Sequence, residues 1–477
     1  MMEQRKSSFW DRAVRNLRSV WGKIGATDNY FLEASFSPEL NEIDQRRLIE
    51  QMRACLEARG GEVSARSRAA ALGHAYLALN ETGRKRFLGV LASEFGSDTE
   101  TVNKAISDLQ NATNTENRMA AEKSLREALV STRTRLLTQF NALPEGVKFL
   151  VDMRAELIPW ARNDPFLNTV EYDLKALLTS WFDVGFLELK QITWKAPAAL
   201  LEKLFSYEAV HEITGWDDLK NRLASDRRCF AFFHPRMPEE PLVFVWVALV
   251  EGMASNIHEL LDKEAPDQDE KHADTAIFYS ISNAQAGLSG ITFGNFLIKR
   301  VVDNLSAELD GLKKFATLSP IPGFMPWLRS NLENNHLEFL TIEQQEKLKR
   351  TSSKGSPKAS LIHLLYDTKW VNNTETQSML KPILLRLAVH YLANEKRNEG
   401  TALDSVAHFH LNNGARIEQL HWAADLSPKG IKQSAGIMLN YLYLLKDIEV
   451  NHESYRSGKA IMTSSDVRDL LKDQKPT

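Results

Sequence analysis

Cysteine is scarce in this 477-residue chain: only Cys55 and Cys229 occur, and neither sits in a C-x-x-C or other metal-type spacing. That excludes a disulfide framework and a structural zinc site as organising devices. Long hydrophobic runs are missing as well. No stretch reaches the length of a membrane span, and no charged-then-apolar signal opens the sequence. Net charge is nearly absent, since 59 basic residues face 62 acidic ones and leave −3. No global field therefore draws the chain to nucleic acid or to an anionic membrane. Several signatures are lacking too: G-x-x-x-x-G-K-[ST], a clean G-x-G-x-x-G, the G-x-S-x-G elbow and H-E-x-x-H. Their absence argues against a P-loop nucleotidase, a Rossmann dinucleotide site, a hydrolase serine and a complete zinc ligand set. The end, Gln474-Lys-Pro-Thr477, is not the Ser-Lys-Leu address of peroxisomal proteins. The expected setting is cytoplasmic.

What is present reads as globular: 43% apolar and 25% charged residues, in a chain longer than one hydrophobic core usually organises. Two domains are expected, over residues 1–182 and 183–477. At the N-terminus, Arg5, Lys6, Arg12, Arg15, Arg18 and Lys23 surround Trp10, Val14, Leu17 and Trp21 at helical spacing. Glu3 and Asp11 fit an organelle transit peptide poorly, so the spacing predicts a helix of the mature protein. The first domain is predicted to be all helical, with one apolar stripe at Leu48, Met52, Cys55 and Leu56 and another at Leu125, Leu129, Leu136 and Phe140. Gly60-Gly61 and Pro144 punctuate it. Packing or oligomerisation is its expected role.

From about residue 190 β-rich runs appear: Cys229–His234, Leu242–Leu249, Ala276–Ser282 and Phe315–Ser319, alternating with helices. The three prolines of Pro235–Pro241 predict a turn, residues 262–274 a solvated loop, and 341–396 a second helical stretch interrupted by the flexible Thr351–Pro357. The fold class is α+β.

The run Ala276–Ser282, then Asn283–Gly294, then Asn295–Val302 reads as strand, glycine-punctuated loop and amphipathic helix. Gly287, Gly290 and Gly294 would let the backbone approach a ligand, and the helix start offers unpaired N–H groups and a positive dipole end. Lys299 and Arg300 stand nearby. With nucleotide motifs absent, a phosphate-bearing acyl carrier such as coenzyme A is the expected guest.

Two further places can carry chemistry. Ser319 closes a predicted strand directly before Pro320-Ile-Pro-Gly323, and a residue before proline is held extended. Alternatively it only starts a turn. In Val406–Arg416, His408 and His410 are expected to share one face of a strand. No ligand set surrounds them, so no metal is expected. With Asn412, Asn413 and a glycine beside them, proton donation suits them better. A hydrogen-bonded core role stays open for His408 and His421.

The runs Phe232–Pro238, Ala276–Ser282, Gly294–Val302, Leu318-Ser-Pro-Ile-Pro-Gly-Phe324, Phe409-His-Leu-Asn-Asn-Gly-Ala415 and Asn440-Tyr-Leu-Tyr443 together resemble malonyl-CoA decarboxylase, in order over residues 229–443. The resemblance implies an N-terminal all-helical domain, a GNAT-like α/β catalytic domain and a homotetramer with contacts through the helical domains. It places the catalytic serine at Ser319 and the catalytic histidine at His410. It makes Ser289, Gly290, Ile291, Thr292, Phe293, Gly294 and Asn295 the acyl-CoA loop, with Tyr443 near the site. Thr292 stands where some members carry an acidic residue.

The implied reaction turns malonyl-CoA into acetyl-CoA and CO₂, with His410 protonating a thioester enolate and Ser319 as its partner. The thioester is its own electron sink, so no cofactor is expected beyond the coenzyme A of the substrate. A GNAT-type acyl-CoA transferase and a non-catalytic malonyl-CoA sensor are the alternatives.

Overall fold

A computed structural model describes residues 20–21, 36–57, 61–291, 296–333, 342–351, 356–366, 368–458 and 461–472. Most of the predicted N-terminal helix lies outside these, as do Thr292–Asn295 and most of Thr351–Pro357. The chain divides into two compact units. The first comprises residues 1–188, 232–242 and 283–293; the second comprises 189–231, 243–282 and 294–477.

The first unit is helical. Its helices run Glu42–Leu56, Gly61–Ala78, Glu81–Glu94, Thr99–Gln110, Thr115–Leu129, Thr132–Phe140, Gly146–Ala161 and Pro165–Trp181. Their starts are written in the sequence: the side chains of Asn41, Asn80, Asp98, Asn114 and Asp164 each accept backbone N–H groups of the first turn. Leu48, Met52 and Cys55 of the first predicted stripe are buried, while Leu56 is only half-buried. The second stripe is not continuous, because one helix ends at Leu129 and the next starts at Thr132. Leu136 and Phe140 are buried beyond the break, while Leu129 before it is 56% exposed. Trp21, Tyr76, Phe140 and Phe149 form an aromatic cluster, with the Trp21 indole donating to the carbonyl of Pro144 at 2.9 Å.

The second unit is built on a mixed sheet of β1 (Glu188–Ile192), β2 (Arg227–Phe233), β3 (Val243–Val250), β4 (Thr275–Asn283), β5 (Lys314–Thr317), β6 (Ser319–Pro320), β7 (Arg416–His421) and β8 (Met438–Tyr443). The order is β1-β2-β3-β4-β5-β8-β6, with β7 also paired to β8. β3 and β8 are buried along their whole length, which explains their nearly unbroken apolar reading. β4 and β5 are parallel, with Phe278 opposite Thr317, and the Phe296–Glu308 helix lies between them in sequence as a parallel crossover requires. β8 runs antiparallel to β5, β6 and β7.

The single strand predicted over Phe315–Ser319 is two short ones. At Leu318 the backbone turns its N–H to the carbonyl of Phe278, and β6 then pairs Ser319 with Leu439. An N-terminal helical region followed by a sheet with helices is an α+β architecture, as the sequence predicts. Among the described residues no helix is long and apolar enough to cross a membrane.

Candidate active site

β8 supplies the floor of the site. Strand alternation sets Tyr441 and Tyr443 on one face, and both are fully buried. On the neighbouring segment, Thr317 and Ser319 bracket the break between β5 and β6. Asn440 pins that end of β5 by donating to the Thr317 carbonyl at 2.7 Å, while its amide oxygen pairs with Nε2 of His421.

The third component corrects the sequence reading. His408 and His410 do not lie on a strand; they belong to the Ser405–Asn412 helix. Two residues apart on a helix, they face different ways. His408 Nδ1 meets the Tyr455 hydroxyl at 2.9 Å, and His410 points into the site, 3% exposed. Asp404 caps this helix, accepting from the N–H groups of Val406 and Ala407 at 2.9 and 3.0 Å. His408 and His421 are thus hydrogen-bonded packing residues, and among the described residues no group of His, Cys, Asp or Glu could hold a metal ion.

Four side chains form a connected row. Tyr443 Oη lies 2.7 Å from His410 Nδ1, His410 Nε2 lies 3.4 Å from Ser319 Oγ, and Ser319 Oγ donates to Thr317 Oγ1 at 2.8 Å. Thr317 Oγ1 also accepts the backbone N–H of Tyr441. The Tyr441 ring stacks on the His410 imidazole, with centroids 4.6 Å apart and planes at 24°.

Proton placement follows from this pattern. Ser319 gives its one proton to Thr317, so its oxygen faces Nε2 as an acceptor, and Nε2 must carry hydrogen. Burial pushes the His410 imidazole down to about 3, so the ring is neutral and Nδ1 is bare. Tyr443, itself pushed up by burial, keeps its proton and donates it to Nδ1. Every group in the row is uncharged at neutral pH. The one N–H donor of the ring is oriented from behind by a phenol and meets only Ser319 Oγ at a long 3.4 Å, the link a substrate oxygen or carbon would replace.

The glycine loop is described only in part: Thr292, Phe293, Gly294 and Asn295 lie outside the described residues. Ser289, Gly290 and Ile291 belong to the first unit. Gly290 adopts φ +73°, and a Cβ there would come 3.1 Å from the Lys175 ammonium. Gly287 has a different reason to be glycine. A Cβ there would lie 1.7 Å from the Val151 carbonyl oxygen, and Arg154, itself paired with Glu171, grips the Gly287 carbonyl at 2.5 Å. It allows helix packing rather than ligand approach. In the second unit Lys299 reaches Glu449 at 3.3 Å, an exposed pair of little strength.

Comparison with known proteins decides the family. Residues 185–477 match the malonyl-CoA decarboxylase C-terminal domain and residues 95–182 the malonyl-CoA decarboxylase N-terminal domain. The chain belongs to the malonyl-CoA decarboxylase family. It is 38% identical over 405 residues to the malonyl-CoA decarboxylase, mitochondrial, of Anser anser anser, covering 81% of this chain and 80% of that one. The Mus musculus protein of the same name is 37% identical over 404 residues, with 81% and 82% covered. The crystal structure of malonyl-CoA decarboxylase from Rhodopseudomonas palustris superposes with a TM-score of 0.82 at 41% identity, over 89% of this chain and 99% of that one. Both vertebrate relatives are named as mitochondrial, whereas the sequence reading expects a cytoplasmic protein.

The structure brings Ser319, His410 and Tyr443 together. Sequence reasoning missed Thr317 and Tyr441. Tyr441 had a signal, since it sits two residues from Tyr443 on one strand and therefore on the same face; Thr317 had none, because the strand breaks at Leu318 between it and Ser319.

Proposed function

We propose that this member of the malonyl-CoA decarboxylase family converts malonyl-CoA to acetyl-CoA and CO₂. The observation that carries the reading is the row Tyr443–His410–Ser319–Thr317, which aims a neutral N–H donor from a dry surround. In the reaction the bond between C2 and the carboxylate carbon breaks, and its electron pair passes onto C2 and the thioester oxygen as an enolate. CO₂ leaves, and C2 then takes a proton. His410 delivers that proton from Nε2 while Tyr443 hands its own to Nδ1, the phenolate so formed takes a proton from solvent before the next turnover, and Ser319 holds the ring at the required angle. A donor aimed at the enolate acts more strongly on the transition state than on the ground state, which is what accelerates the step. The thioester accepts the electrons itself, so the proposal includes no cofactor besides the substrate's coenzyme A.

The proposed substrate-binding residues are Ser289–Asn295 for the coenzyme A phosphates, with Ser319, His410 and Tyr443 at the acyl group. The left-handed turn at Gly290 and the ammonium of Lys175 beside it support an anion there. A GNAT-like catalytic domain over 183–477 and a homotetramer with contacts through the helical domain at 1–182 are part of the same reading. A cytoplasmic location remains our reading from sequence, and cell fractionation tests it.

The test mixes purified protein with malonyl-CoA and follows acetyl-CoA by chromatography alongside released CO₂. Stoichiometric products are expected, with kcat about 10²- to 10³-fold lower in His410→Ala. Wild-type turnover in that variant overturns the assignment of His410, and acyl transfer without CO₂ overturns the reaction.

A further inference from the structure

The two catalytic side chains proposed above come from segments far apart in sequence, and one buried carboxylate joins those segments. Asp404 is 1% exposed. Its Oδ1 caps the helix that carries His410, through the N–H groups of Val406 and Ala407. Its Oδ2 accepts the N–H of Gly323 at 3.0 Å, four residues after Ser319 in the Ser-Pro-Ile-Pro-Gly turn. The Tyr391 hydroxyl bonds to the same carboxylate. Both halves of the Ser319–His410 pair therefore hang from a single side chain.

Gly323 shows how closely the turn is drawn in. A Cβ at that position would lie 2.1 Å from Tyr391 Oη and 3.1 Å from Asp404 Oδ2. Any side chain would push the turn away from the helix cap. Helix capping alone does not require aspartate, since Asn and Ser cap as well. A carboxylate is needed because both arms present N–H donors, and only an acceptor on each side can receive them.

We infer that Asp404 is a positioning residue for the decarboxylation. It sets the approach of Ser319 Oγ to His410 Nε2 by tying the Ser-Pro-Ile-Pro-Gly turn to the helix cap. The inference rests on the catalytic reading of Ser319 and His410.

Asp404→Asn separates the two arms. The amide oxygen keeps the helix cap, and the amide nitrogen then faces the Gly323 N–H, donor against donor. Displacement of reacting groups by about 1 Å costs up to about 10²-fold in rate, so kcat is expected to fall by about 10- to 100-fold. KM for malonyl-CoA should stay within about twofold, because the lost interaction shapes the transition state and not substrate binding. The melting temperature should fall modestly, because the half-buried Gly323 N–H is left without its acceptor. A kcat within about twofold of wild type overturns the inference, and so does a fall in kcat accompanied by a rise of KM beyond about twofold, which marks general disruption of the site.

Should Asp404→Asn fail to fold, Gly323→Ala strains the same link, and adding Tyr391→Phe removes the nearest clashing atom. Recovery of kcat in the double variant, judged against Tyr391→Phe alone, supports the tie; a kcat within about twofold of wild type in Gly323→Ala overturns it. Ser319→Ala and His410→Ala are assayed in parallel. If they retain turnover the catalytic reading itself falls, whereas loss in them with full activity in Asp404→Asn removes the positioning role alone.

Discussion

His410 titrates far below its ordinary range, and the consequence is measurable in acid. Burial pushes the native imidazole from 6.5 to about 3, while the unfolded chain keeps a value near ~6.5. Between those values the unfolded state binds a proton that the native state refuses. Stability is therefore fully present above about pH 6.5 and falls as pH drops toward about 3. Each pH unit inside the window costs about 1.4 kcal/mol for one such group, so about 3 kcal/mol is lost by about pH 4.5. That is a sizeable part of the ~5–15 kcal/mol that holds a typical domain folded.

Other groups tilt the same curve: burial lowers His211 to about 4 and also depresses His421, while Asp404 is raised. A difference measurement removes them. His410→Gln retains an N–H donor but cannot charge. The Tyr443 hydroxyl loses its ring acceptor in the variant, costing about 1–3 kcal/mol at every pH, an offset and not a slope. Urea unfolding of both proteins, followed by tryptophan fluorescence between about pH 7.5 and about pH 4.5, reads the two slopes. The variant should start less stable and close the gap by about 3 kcal/mol across the window. Parallel curves throughout would refute a buried, neutral His410.

Two further outcomes test the arrangement. Tyr443→Phe removes the donor that holds a bare Nδ1, and kcat should fall by about 10² while coenzyme A affinity by calorimetry is unchanged; a kcat within about twofold would remove Tyr443 from the proton route. Gly290→Val forces a β-branched residue into a left-handed turn beside Lys175, and calorimetry should show coenzyme A binding abolished with the helical circular dichroism intact; unchanged affinity would move the phosphates elsewhere.

The sequence revealed the site unevenly, for physical reasons. Strands β2, β3 and β4 were legible because burial on both faces demands unbroken apolar runs. The Ser405–Asn412 helix was not, since eight residues scarcely complete two turns and His408 and His410 mimic an alternating strand. The cue lay at its ends: Asp404 is an N-cap and Gly414, at φ +83°, follows the last turn. The false stripe through Leu125, Leu129, Leu136 and Phe140 fails for a related reason, because Ser131 starts a new helix inside it. Ser319, His410 and Tyr443 were named through family resemblance, and their spacing alone did not distinguish them. The link from Asp404 to Gly323 spans 81 residues and depends on how the turn folds back, which no local pattern encodes.

The neutrality of His410 bears on why such a site suits decarboxylation. An imidazolium facing the substrate would pair with the malonyl carboxylate and stabilise the ground state, which lowers KM without raising kcat. A neutral N–H has little pull on that carboxylate at a distance, yet bonds strongly once negative charge reaches the thioester oxygen in a dry surround. Burial thus selects for the charge distribution of the transition state. It also constrains proton delivery. Tyr443, pushed up by burial, does not ionise on its own, and His410 does not hold two protons. In the proposed reaction the two transfers are therefore coupled, with Nδ1 gaining the phenol proton as Nε2 releases its own to C2 and solvent restoring the phenol afterwards. In that proposal the stacked Tyr441 ring and the Ser319 oxygen hold the imidazole plane, so the donor direction is set before the enolate forms.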